Sequence, residues 1–357
     1  MKLDRENLLA ILKRIDACLS DKTKVPIHDC FCFTKDSVYT FDDISAIHYP
    51  AKLGITGGIK GGMLRDFLSS SKAKDVEITP NDRTILFKAA RAKLDTPLLP
   101  ESSFLFVEPD LSKATELTVN DAFLSALSRV SISMGRDDKQ QWRYGVMVTP
   151  KGNGYILYAT DTKTIARDVI GNTKGDRKDA ILFPPRFVDL LLSLAKTDIP
   201  TKLLISDEWG EVRFQSGLRL FTKTVAGQSD KDYVETIAEI QNRTKNSVDI
   251  PEFLDRALER ASMAAKYSKV PHTRIIINDG TLKLETESDA GDVRDSIDCE
   301  HENADVFVSP DLVAKGLELA DKIAIVPECV KLSKGNFIYL ICTHQTSGKV
   351  GAVSEGD

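Results

Sequence analysis

The chain has 357 residues, more than one ordinary core needs, so two or three domains are expected. Hydrophobic residues make up 42% and charged residues 28%, which excludes a wholly disordered chain. A net charge of −5 gives no overall attraction for nucleic acid or anionic lipid, so such binding would need locally segregated charge.

The opening "MKLDRENLLAILKRID" carries acids where a signal peptide is apolar, and no apolar run reaches spanning length. Six cysteines form no CxxC pair. Together these read as a cytoplasmic protein with reduced thiols and no membrane partner. Residues 5–19 have helical apolar spacing, and Cys30 and Cys32 alternate as strand residues sharing one face. "YTFDDISAIHYP" reads as strand sequence interrupted by a turn at Asp42-Asp43. "TGGIKGG" (56–62) has the spacing of a phosphate loop, but Met63-Leu64 stand where Lys and Ser/Thr are required. It reads as a flexible lead into a second helix (61–73), with Ser69-Ser70-Ser71 on that helix or at its end. Residues 75–99 then read as strand, turn, strand, short turn, strand, with Pro80-Asn81-Asp82 supplying turn geometry.

That plan recurs twice. A helix at 118–136 is followed by the strand-like "YILYATDTKTIARDVI", a helix at 184–197 and a triple strand at 201–225 turning at Asp207-Glu208-Trp209-Gly210. A helix at 251–269 is followed by a hairpin at Asn278-Asp279-Gly280 and a helix at 309–322 opened by Ser309-Pro310. A triple strand at 321–344 closes the unit, turning at Lys334-Gly335-Asn336. The fold class expected is α+β, three repeated domains with two helices on an antiparallel sheet in each. Their bounds are 1–114, 115–247 and 248–345, and 346–357 reads as a disordered Gly/Ser-rich tail.

The six helical windows, taken with the flanking Lys60 and Lys74, hold 17 Lys and Arg against 11 Asp and Glu, while the rest of the chain is acidic. Only the last helix departs from this. If the helices line one surface, they offer a salt-dependent phosphate contact on an otherwise acidic protein. The candidates are Lys13, Arg14, Arg65, Lys72, Arg129, Arg136, Arg186, Lys196, Arg256, Arg260 and Lys266; the ordinary alternative is solvated helix faces. Asp289, Asp292, Asp295 and Asp298 recur every third residue, whereas calcium loops alternate acids around a central Gly. The five histidines make no HxH or HExxH pair, and no GxSxG elbow exists. No metal, cofactor or enzymatic activity is expected.

The triple repeat with basic helices resembles the bacterial replicative sliding clamp, the beta subunit of the replicative polymerase. "NLLAILKRIDACLSDKTKVPI" looks like that family's opening helix and turn, and "ATDTKTIARDVI" resembles its ATDGHRLA element. "LFTKTVAGQSDKDYVETI" is similar to a strand leading into a Phe-Pro-Asp-Tyr turn. The resemblance implies a head-to-tail homodimer forming a six-domain ring, with helices around duplex DNA and strands outside. It implies sequence-independent DNA contacts, and a pocket between the second and third domains that takes short linear peptides of polymerase and clamp loader. Thr160, Thr162, Lys163, Thr164, Ile165, Ala238, Leu340 and Cys342 fall on that pocket, and Lys22, with Lys24 nearby, falls at a DNA contact. Here Thr162-Lys163-Thr164 replaces the family's Gly-His-Arg, and Ala238 replaces a usual proline. A clamp-fold scaffold that binds partners without encircling DNA is the alternative.

Overall fold

The computed structural model describes residues 1–20, 24–137, 144–171, 179–228, 231–244 and 246–344. After β1 (Lys2–Asp4), Asp4 caps α1 (Arg5–Ile15), its Oδ1 accepting from the Asn7 amide at 2.8 Å. Leu8, Leu9, Leu12 and Ile15 make the buried stripe of α1. A meander of β2 (Cys30–Phe33), β3 (Ser37–Phe41) and β4 (Ser45–Pro50) follows. Cys30 and Cys32 pack in one buried cluster, as their alternation predicts.

The glycine run is not a flexible lead: Gly57–Lys60 forms β5, paired with β2. A Cβ on Gly57 would lie 2.8 Å from the Leu99 carbonyl oxygen, and its φ is +120°, so only glycine lets the two chains approach there. Then come α2 (Gly61–Ser70), β6 (Asp75–Pro80), β7 (Thr84–Ala89) and β8 (Ala92–Pro97).

The second stretch contains β9 (Thr115–Leu117), α3 (Asp121–Val130), β10 (Val146–Lys151), β11 (Gly154–Thr160) and β12 (Thr164–Ile170). It continues with β13 (Ala180–Phe183), α4 (Pro185–Leu194), β14 (Pro200–Ile205), β15 (Trp209–Phe214), β16 (Arg219–Lys223) and β17 (Val225–Gln228). Next stands a helix that the sequence reading took for a turn, α5 (Lys231–Arg243). No proline interrupts it, and Val234, Ile237, Ala238 and Gln241 share one face.

The third stretch holds β18 (Val248–Asp249), α6 (Leu254–Ala265), β19 (Thr273–Asn278), β20 (Thr281–Thr286), β21 (Val293–Asp298) and β22 (Ala304–Val308). It ends with α7 (Pro310–Leu317), β23 (Lys322–Val326), β24 (Cys329–Lys334) and β25 (Phe337–Cys342). Asp279 and Gly280 both have positive φ, as the hairpin between β19 and β20 requires.

The chain forms two compact units, residues 1–124 with 172–227 and residues 125–171 with 228–357. In the first, one sheet runs β1-β6-β7-β8 and a larger one β5-β2-β3-β4-β16-β15-β14-β9. In the second, one sheet runs β21-β20-β19-β22, and another contains the consecutive strands β10-β11-β12-β25-β24-β23-β18. Each larger sheet is thus stitched from two of the sequence repeats, by β4 against β16 and by β12 against β25. All the named pairings are antiparallel.

Candidate functional site

The turn between β11 and β12 is built by Asp161. Its Oδ1 accepts from the amides of Lys163 at 3.0 Å and Thr164 at 2.8 Å, and from the Thr164 hydroxyl at 2.9 Å. This Asx turn engages Oδ1 three times and so gives Asp161 a structural role. Thr160 Oγ1 donates to the Thr164 carbonyl at 2.7 Å, burying both threonines, while Thr162 and Lys163 stay exposed. Thr162 holds φ at +76°, a left-handed conformation that suits the glycine of the ATDGHRLA pattern and strains a β-branched residue.

Strand register assembles the rest. Ile165 opposes Leu340, and the Cys342 amide donates to the Lys163 carbonyl at 2.8 Å. Directly opposed residues project to one face, so Thr160, Ile165 and Leu340 share it with Tyr158 and Arg167 one pair along and with Lys331 on β24. α5 lies against this face. Lys331 Nζ donates to the carbonyl and the hydroxyl of Thr244 at the helix end, both at 3.1 Å, and Arg243 pairs with Glu328 at 2.9 Å. Burial pushes the Lys331 ammonium below its ordinary range.

Between α5 and the sheet runs a groove of about 400 Å³. Val234, Ile237, Ala238 and Gln241 form its helix wall; Thr149, Pro150, Lys151, Ile156, Tyr158 and Arg167 form its sheet wall. Ala238 is therefore the one predicted pocket residue that lines the groove, while Ile165 and Leu340 continue its sheet face. Tyr158, Arg167 and Ile237 were missed by the sequence reading. The three- and four-residue spacing after Lys231 was the available signal. Among the described residues the side chains of Lys151 and Arg167 are in no hydrogen bond or ion pair, and the buried Thr149 hydroxyl has no partner.

At the end of β25 the rings of His272 and His344 lie 4.3 Å apart. Burial, then His344 and Lys163, lower the His272 pKa. No third ligand joins them, and no group of three His, Cys, Asp or Glu that could hold a metal exists among the described residues.

The candidate DNA-facing cations divide into two sets. Arg65 pairs with Asp16 at 3.1 Å, Arg186 with Asp42 at 3.0 Å, Arg129 with the buried Asp168 at 2.6 Å, and Arg260 with Asp295 at 2.7 Å. These four guanidiniums are held by carboxylates of their own unit. Lys13, Arg14, Lys24, Lys72, Arg136, Lys196, Arg256 and Lys266 are exposed, with Arg14 over the Tyr49 ring and Arg256 over Phe253. Lys22 and residues 346–357 lie outside the described residues.

Comparison with known proteins agrees with this architecture. The chain is 24% identical over 274 residues to the beta sliding clamp of Streptomyces coelicolor, spanning 74% of this chain and 71% of that protein. It is 26% identical over 219 residues to the beta sliding clamp homolog GriR of Streptomyces muensis, spanning 60% and 57%. The solved DNA polymerase III beta subunit of Thermotoga maritima superposes with a TM-score of 0.82 at 13% identity, over 96% of this chain and 98% of that one. No protein-family model matches the chain.

Proposed function

We propose, from the sliding-clamp fold this chain carries as a divergent relative of the bacterial clamps, that it is a processivity factor without catalytic activity. In this reading two copies join head to tail around duplex DNA, and the face shared by Ile165, Leu340 and the α5 groove takes short peptides of polymerase and clamp loader. The observation that carries it is likeness in fold over 96% of the chain to a polymerase beta subunit. A ring holds DNA by topology, so weak, sequence-independent phosphate contacts from the exposed helix cations suffice.

Two strand edges support the head-to-tail contact. β8 ends one sheet and β21 ends another, each with one side unpaired. Residues 88–97 around β8 carry Lys88, Arg91 and Lys93 against Asp95, whereas residues 289–300 around β21 carry five acids against Arg294. The two edges are complementary in charge, and Met263 is 61% exposed on α6, which packs beside β21. Edge-to-edge pairing between two copies would bury both edges.

Light scattering should give about twice the 39.5 kDa chain mass. Reversing Arg91 and Lys93 to Glu should give monomers, and reversing the exposed Asp298 and Glu300 to Lys in the other copy should restore dimers. Loaded protein should stay on circular DNA and run off linear ends. Equal retention on both would support the scaffold reading, which the four carboxylate-held arginines favour. Ile165→Ala or Leu340→Ala should weaken peptide binding without separating the dimer; unchanged binding in both removes the pocket assignment.

A further inference from the structure

Cys329 and Cys342 are direct cross-strand partners on β24 and β25. The Thr343 amide donates to the Glu328 carbonyl at 3.1 Å, so the main-chain bond flanks the cysteine pair and does not join it. This is a non-hydrogen-bonded pair, the class with Cα atoms about 4.5 Å apart and side chains closest together. Disulfides span Cα separations of about 4.4–6.8 Å, so the backbone is already placed for one. Both cysteines are reduced: Cys329 is buried, Cys342 is exposed, and Cys342 Sγ points to the Thr162 carbonyl at 3.9 Å. A turn about χ1 of Cys342 swings its sulfur from Thr162 toward Cys329.

We propose that Cys329 and Cys342 are an oxidisable dithiol, with Cys342 the entry point and Cys329 the resolving thiol. Hydrogen peroxide is the oxidant. The Cys342 sulfur attacks the peroxide oxygen, the O–O bond breaks, and Cys342 becomes a sulfenic acid as water leaves. The Cys329 sulfur then attacks that sulfur, expelling a second water and closing the disulfide. Two thiols and one hydrogen peroxide thus give one disulfide and two waters. The remaining cysteines do not compete: Cys18, Cys30, Cys32 and Cys299 are buried, and none is a strand partner of another. The chemistry stands without the clamp reading. Its consequence rests on that reading, because the bond would tie down Cys342 beside Lys163 and Thr162 at the edge of the candidate peptide face.

Burial pushes the Cys329 thiol up to about 12, and burial followed by Asp161 raises Cys342. Since the thiolate reacts, disulfide formation should quicken about tenfold per pH unit from neutral to mildly alkaline solution. The test is to treat the reduced full chain with hydrogen peroxide, alkylate, digest without reduction and map linked peptides by mass spectrometry. One linked pair joining Cys329 to Cys342 is expected, with the other four cysteines alkylated. In Cys329→Ser, Cys342 should stop at a sulfenic acid that dimedone traps; in Cys342→Ser, Cys329 should stay a thiol. Sulfinic acid at Cys342, or a link only between copies, in the wild-type chain would overturn the proposal. So would equal dimedone trapping in wild type and Cys329→Ser.

Discussion

The two stitches between repeats are the same structure with different contents. In the first, Asp42 Oδ1 accepts from the amides of Ile44 and Ser45, Asp43 holds φ at +74°, and the Lys223 amide donates to the Ile44 carbonyl. In the second, Asp161, Thr162, Lys163 and the Cys342 amide repeat each of those steps. By register, Tyr39 corresponds to Tyr158, Phe41 to Thr160, Ala46 to Ile165, Phe221 to Leu340 and Glu211 to Lys331.

What covers the shared face then differs. Over the first stitch, Phe106 inserts with ring centroids 5.4 Å from Phe41 and 5.3 Å from Phe221, and Phe104 packs on Tyr39 at 5.6 Å. Over the second lies α5, whose Ala238 and Ile237 leave a groove. One junction is plugged by aromatic rings and the other keeps a groove. A groove can therefore arise at one of two like junctions by withholding a plug, with the same turn and register beneath.

That contrast can be broken most severely at the plug. Phe106→Ala should cost about 3 kcal/mol of stability in urea unfolding, while opening a groove over the first stitch. Glu211 comes next. It is fully buried, and although burial alone would raise its pKa, hydrogen bonds from Arg213 and Arg219 hold it below the usual carboxylate range. A depressed carboxyl contributes stability that is present above its unfolded pKa and lost as pH falls through the folded one. Glu211→Gln should cost about 2 kcal/mol at neutral pH and flatten the acid limb of the stability profile.

Plugging the second groove is the converse experiment. Ala238→Phe should leave urea unfolding within about 0.5 kcal/mol, since the position is exposed, yet weaken peptide binding about tenfold or more in a fluorescence titration. The smallest effect should come from Thr162→Gly, which relieves the left-handed strain at the cost of a freer unfolded chain. A gain of under about 1 kcal/mol in unfolding free energy is expected.

Much of this was legible in the sequence. The strand triplets at 75–99, 201–225 and 321–344 were written in alternation and in turn residues such as Asn81-Asp82 and Gly335-Asn336, which act locally. The Asp161 turn is likewise local, since an aspartate opening a turn has the amides two and three residues on within reach. The open groove was not legible, because it depends on what stands above a sheet face, a long-range fact. α5 was hidden by a resemblance that suggested a turn, although its own spacing argued for a helix. The held arginines were equally invisible, since Arg129 and Asp168 meet only after folding.

The bonds that lock each stitch, Lys223 to Ile44 and Cys342 to Lys163, run from amide to carbonyl. Every residue but proline offers both groups, so no side chain need be preserved to keep the repeats in register. Such a joint is indifferent to spelling. Mutation can rewrite the face above it, its partners and its charge while the strand register stays in place. A chain 13% identical to a solved beta subunit can then still superpose on it over nearly its whole length.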